Sequence, residues 1–183
     1  MRQTCPAPAV SRHLNQKGNM ADYFTNFSLI LELPDEAAQA YALKIASEAA
    51  AWSEDEQVPA DFPASLVDVL EIWLFKTEVQ GSLEPGKYAV WLHSCNGGID
   101  AVCEFIRHLL RKFKLTDVVS FEWSNDCSKP RTDAYGGGAA IITSRKIISM
   151  TTGEWLHKQI TRGRQKDERR GQQVSGSRPD ISQ

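Results

Sequence analysis

The chain has 183 residues, enough for one domain with a sizeable core, and its 42% hydrophobic and 24% charged residues are those of a globular protein. Its net charge of −2 is unevenly spread: residues 21–160 hold 12 Lys and Arg against 20 Asp and Glu, and both ends are basic. Such a body argues against a broad phosphate-binding surface, which needs clustered Lys and Arg, and no run reaches the ~18 apolar residues of a membrane span.

Met1 to Asn19 mixes Pro, Gln, Asn, Ser and Arg without an apolar period and reads as disordered or as a mis-annotated start, because patterned sequence begins just after Met20. No apolar core of a secretory signal is present there. The four cysteines, Cys5, Cys95, Cys103 and Cys127, form no Cys-x-x-Cys pair, which predicts reduced thiols and a cytoplasmic location.

Phe27, Leu29, Leu31 and Leu33 alternate with polar neighbours, predicting a half-buried strand. Pro34-Asp35-Glu36 then opens a helix to about Trp52, with Ala38, Tyr41, Ala42, Ile45, Ala49 and Trp52 on one face. Ala64 to Asp68 predicts a short helical turn, and Leu70 to Val79 reads as a strand bearing Trp73 and Phe75. After turn chemistry at Gly81–Gly86, Lys87 to Ser94 reads as a second alternating strand.

The clearest helix is Ile99 to Lys114, with Ile99, Val102, Cys103, Ile106, Leu109, Leu110 and Phe113 as its buried stripe. Val118 to Ser124 is a predicted strand. Ala139–Thr143 and Ile147–Met150 form a predicted hairpin, and Thr151-Thr152-Gly153-Glu154 is a capping box opening a short helix to about Ile160. This order predicts an α+β fold: an antiparallel sheet of about five strands with two main helices on one face. A ferredoxin-like split β-α-β core with a C-terminal hairpin is the best topology, and a plain meander is the alternative. Residues 20–160 would form the single domain and 161–183 a disordered basic tail.

The chemistry concentrates between Glu122 and Ala139, where a thiol, two cations, two carboxylates, a proline and three glycines follow one another. A loop of this kind presents binding groups from a scaffold. The binding candidates are Trp123, Lys129, Arg131, Asp133, Tyr135, Gly136, Gly137 and Gly138. Cations beside Cys127 favour a thiolate, so Cys127 with Asp126, and His93 as a distant base, are the catalytic candidates. His93, Cys95 and Cys127 lack the paired spacing of zinc sites, so no metal is expected. Gly136–Gly138 lead into a strand rather than a helix, which fits close backbone approach better than a phosphate cradle. No cofactor is expected. Trp73, Trp91, Trp123 and Tyr135 could form a stacking platform on the uncovered sheet face.

The segment Glu122-Trp123-Ser124 through Cys127-Ser128-Lys129-Pro130-Arg131, then Gly136-Gly137-Gly138-Ala139, resembles a family of small bacterial proteins known mainly as hypothetical, some on mobile elements. The similarity covers about Tyr23 to Leu156 and brings no assigned activity with it. The resemblance implies a mobile-element setting, such as interference with a host system. The composite polar loop without an assembled reaction centre predicts, on its own, binding of another protein by a small non-enzymatic protein, with at most a weak nucleic-acid contact from the basic tail and no membrane association. The alternative is a small enzyme acting through Cys127 or the Asp126/Asp133 pair.

Overall fold

The computed structural model describes residues 21–80, 86–132 and 134–175, with side chains described as far as Gln165. Residues 1–20, 81–85, Asp133 and 176–183 lie outside that range, and with them the expected start, most of the expected turn, one binding candidate and the end of the expected tail. Chain order is β1 (Tyr23–Leu33), α1 (Glu36–Ala51), a 3-10 segment (Ala64–Ile72), β2 (Lys76–Val79), β3 (Tyr88–Ser94), α2 (Ile99–Lys112), β4 (Val119–Cys127), β5 (Gly136–Ile142), β6 (Ile147–Thr151) and α3 (Thr152–Ser175). The strands form one sheet of six, one more than expected, in the order β2-β3-β1-β4-β5-β6. All its strand pairs are antiparallel.

That order answers the choice between topologies. A meander would place consecutive strands side by side, whereas β1 lies between β3 and β4. The β1-α1-β2 unit leaves a gap that β3 fills, and β3-α2-β4 leaves one that β1 fills. Two split β-α-β units interleave, and β5-β6 extend the sheet beyond β4.

Alternation along the strands decides what the sheet covers. On one face Phe27, Leu31, Leu33, Val90, Leu92, Phe121, Ala140 and Ile142 join a single core with the buried sides of α1 and α2. Asp35 caps α1, its Oδ1 accepting from the Ala38 backbone N–H at 2.8 Å, so Pro34 precedes the cap instead of occupying the first turn. Gly98 caps α2 in the left-handed region (φ 81°), where a Cβ would press on the Leu74 backbone at 3.1 Å.

The helical turn expected at Ala64–Asp68 runs on to Ile72 and so takes the first three residues of the strand expected at Leu70–Val79. Leu66, Val69, Leu70 and Trp73 are buried at i, i+3, i+4 and i+7 spacing, so Ala64–Ile72 winds as a 3-10 segment against α2 and leaves only Lys76–Val79 as strand. Trp73 packs edge-on to Phe105 with ring centres 5.2 Å apart, which explains why α2 buries more of its surface than one stripe. Residues 161–175, expected as unstructured tail, continue α3. Arg, Gln, Lys and Glu are good helix formers, and a capped helix can run through them without apolar contacts.

Three helical elements meet at a polar tie. The two ring nitrogens of His108 on α2 are hydrogen-bonded to the Tyr41 hydroxyl (2.8 Å, α1) and the Ser65 hydroxyl (3.0 Å, 3-10 segment). Lys112 Nζ stands 4.4 Å from the Tyr41 ring centre. Burial, then the nearby Lys112 and Arg111 charges, lower the His108 pKa below 6.5. The folded state thus prefers neutral imidazole, and its contribution to stability is full above pH 6.5 and declines as pH falls toward the lowered value. Urea unfolding of the wild type should lose stability as pH is taken below 6.5. His108→Gln, which keeps one donor and one acceptor, should flatten that decline; an unchanged slope would contradict the assignment.

Candidate functional site

β4 and β5 form a hairpin in which Asn125 faces Gly136, Ser124 faces Gly137 and Trp123 faces Gly138. The strands reach further into the polar stretch than expected, leaving 128–135 as the connection. Glycine is required by contact with Trp123. A Cβ on Gly138 would overlap the Trp123 indole and stand 2.6 Å from the Met150 carbonyl oxygen. At Gly137 (φ 154°) it would strike the Trp123 carbonyl oxygen. The glycines therefore serve close approach and not a phosphate cradle.

The hairpin tip is tied to the start of β1. Ser128 donates its backbone N–H to Asp22 O at 2.9 Å, and Asp22 N–H donates to Ser128 Oγ at 2.9 Å. Arg131 Nη1 donates to the Tyr23 hydroxyl at 2.6 Å. Arg131 is exposed, Lys129 is half-buried, and Tyr135 projects with 59% of its surface accessible.

Beside the glycines lies a cleft of about 480 Å³, lined by Trp123, Gly136, Gly137, Gly138, Thr152 and Trp155 among others. Four expected binding residues come together here. Trp155 was not expected. It is delivered by the capping box: Thr151 Oγ1 accepts from Glu154 N–H (3.1 Å), and Thr151 N–H donates to Glu154 Oε2 (2.8 Å). Those bonds hold the Glu154 carboxyl below its usual range. They start α3 at the cleft edge, where Thr152 Oγ1 donates to Gly137 O at 3.3 Å. The sequence signal was present, a tryptophan directly after the cap, but no spacing connects it to Trp123.

The aromatic platform does not assemble. Trp73 is buried, and Trp123 packs toward the core beside Phe121. Trp91 lies on the uncovered face, stacked on His93 at 3.8 Å and donating Nε1–H to Ser28 Oγ at 2.8 Å. Tyr135 stands apart at the hairpin tip.

The catalytic candidates separate as well. Cys127 pairs across from Tyr23 and shares the helix-side face, whereas His93 pairs with Ser28 on the opposite face. The path from Tyr23 to Ser28 is about 16 Å at a rise of about 3.3 Å per residue. His93 is thus removed as a base for Cys127; its Nε2 lies 3.5 Å from Glu78 Oε1 without hydrogen-bond geometry. Asp126 accepts from Asn26 Nδ2 at 3.3 Å on the open face.

Cys103 and Cys127 are free thiols, and burial, with Asp100 and Glu104 adding to it, pushes Cys103 up to about 12. Cys95 is disulfide-bonded, unlike the reduced state expected for it. Among the described residues no three His, Cys, Asp or Glu side chains are placed to hold a metal ion, and no helix is long and apolar enough to cross a membrane.

Compared with protein-family models, curated proteins and solved structures, the chain finds no match.

Two outcomes check this geometry. Gly138→Ala should lower unfolding stability by about 1–3 kcal/mol through overpacking against Trp123, measured by chemical denaturation. Alkylation of Cys127 should proceed at the same rate in wild type and His93→Ala; a slower variant would mean that the two side chains communicate.

Proposed function

We propose that the protein acts by binding another protein and not by catalysis, with a ferredoxin-like split β-α-β core displaying the hairpin tip and the adjoining cleft as its contact surface. The observation that carries this reading is the tip itself. Arg131 and Tyr135 are exposed, yet the segment bearing them is pinned to Asp22 and Tyr23. A contact surface ordered in advance loses less entropy on association. Tyr and Arg are also the residue types that dominate binding energy at interfaces. The cleft adds a recess walled by Trp123, Trp155, Met150 and three glycines, suited to an apolar side chain presented by the partner. A mobile-element setting, with a host protein as the partner, accords with the resemblance of the Glu122–Ala139 segment.

The triple variant Lys129→Ala, Arg131→Ala, Tyr135→Ala tests the proposal. A protein captured by the wild type from an extract of the native host is identified by mass spectrometry, purified, and titrated against both forms. Affinity should drop by about tenfold or more in the variant, with a melting temperature close to that of the wild type. Equal affinity would reject the tip as the contact surface, and an unfolded variant would show the segment to be structural.

A further inference from the structure

Two surfaces of this fold are left uncovered by the described residues, and they are complementary. The first is α3. From its start at Thr152 through Gln165 every side chain is exposed, and the helix meets the body chiefly at β5 and β6. At 24 residues it is about 36 Å long, and a helix without a packed face draws little stability from propensity alone. At 100° per residue, Leu156, Ile160 and Gly163 share one side, with Trp155 at its margin. Leu156 and Ile160 are 52% and 54% accessible. Arg162 and Arg164 border that stripe on either side, and neither forms an ion pair among the described residues.

The second surface is the sheet face turned away from α1 and α2. Ile30 pairs with Trp91 there, and Ile141 with Ile148. Ile30, Ile141 and Ile148 are about half accessible, at 52%, 46% and 48%. Glu32 and Glu122 lie on the same face, exposed and without an ion pair among the described residues. The face spans about 24 Å across its strands at a spacing of about 4.8 Å, so a helix of this length crosses it completely.

We propose that α3 of one copy lies across the open sheet face of a second copy, and that the second copy returns the contact. Charge complementarity commits the occupant: the cations bordering the α3 stripe meet the unpaired carboxylates beside the isoleucines. Geometry favours exchange between copies. α3 leaves from β6 at an edge of the sheet, so two molecules meeting along that edge can each lay the helix over the other. The contact is isologous and closes on itself as a dimer. It leaves the hairpin tip free and shares only Trp155 and Glu122 with the wall of the cleft, and its test reads self-association instead of partner capture.

Sedimentation of the full chain should show a dimer at low salt that dissociates as salt screens the Arg–Glu contacts. Ile160→Glu on the helix and Ile141→Glu on the sheet should each weaken self-association by about tenfold or more, with unchanged circular dichroism of the body. Mixing the two variants should restore a dimer, because the intact helix of one still fits the intact face of the other. If Ile141→Glu fails to fold, Ile141→Thr should give a smaller shift in the same direction. A wild type that stays monomeric at all concentrations would overturn the proposal, as would a dimer indifferent to either substitution or variants that do not rescue each other.

Discussion

The position of β1 governs this structure. It opens the first split unit and fills the gap of the second, hydrogen-bonded to β3 along Phe27–Leu33 and to β4 along Tyr23–Asn26. Its alternate side chains must therefore satisfy one dry face. Phe27 and Leu31 sit between aromatic and aliphatic neighbours on that face, with Phe27 flanked by Phe75 at 6.4 Å and Phe121 at 5.4 Å between ring centres. A slip of one residue would send Ile30 and Glu32 into the core and Leu31 into solvent, so the register is strongly fixed.

The functional features follow from that register. Because Tyr23 stands opposite Cys127, the end of β4 and the following turn come within reach of Asp22 and Tyr23, which tether the tip. Because Trp123 falls on the helix side of β4, its partner position on β5 must be glycine, and the recess beside it stays open. The same strand that organises the core thus sets out the contact surface and separates Cys127 from His93.

Much of this was legible from residue patterns, and the misses have physical causes. Leu29, Leu31 and Leu33 announce a strand through strict alternation, and Ile99–Phe113 announces a helix through its apolar period. Both hold in the structure, as does the capping box at Thr151–Glu154. The helical turn at Ala64–Asp68 was legible, but its continuation to Ile72 was hidden because Trp73 and Phe75 suggested a strand, although Leu66, Val69, Leu70 and Trp73 already carried helical spacing. Asn125–Cys127 and Gly136–Gly138 were hidden because their composition is that of a loop; pairing with each other and with β1 overrides local preference. Among the site residues, Trp123 and the glycines were visible by type, while Trp155 joins them only through tertiary geometry. The distance between Cys127 and His93 depends on strand order, which local patterns do not encode.

Native-state hydrogen exchange on the wild-type chain tests the governing role of β1 most directly. Amides from Leu29 to Leu33 should exchange only through global unfolding, with β2 and β6 at the sheet edges opening first. The Ser128 amide, bonded to Asp22, should be protected relative to its neighbours in the hairpin tip. Exchange from β1 faster than from the edge strands would contradict the account.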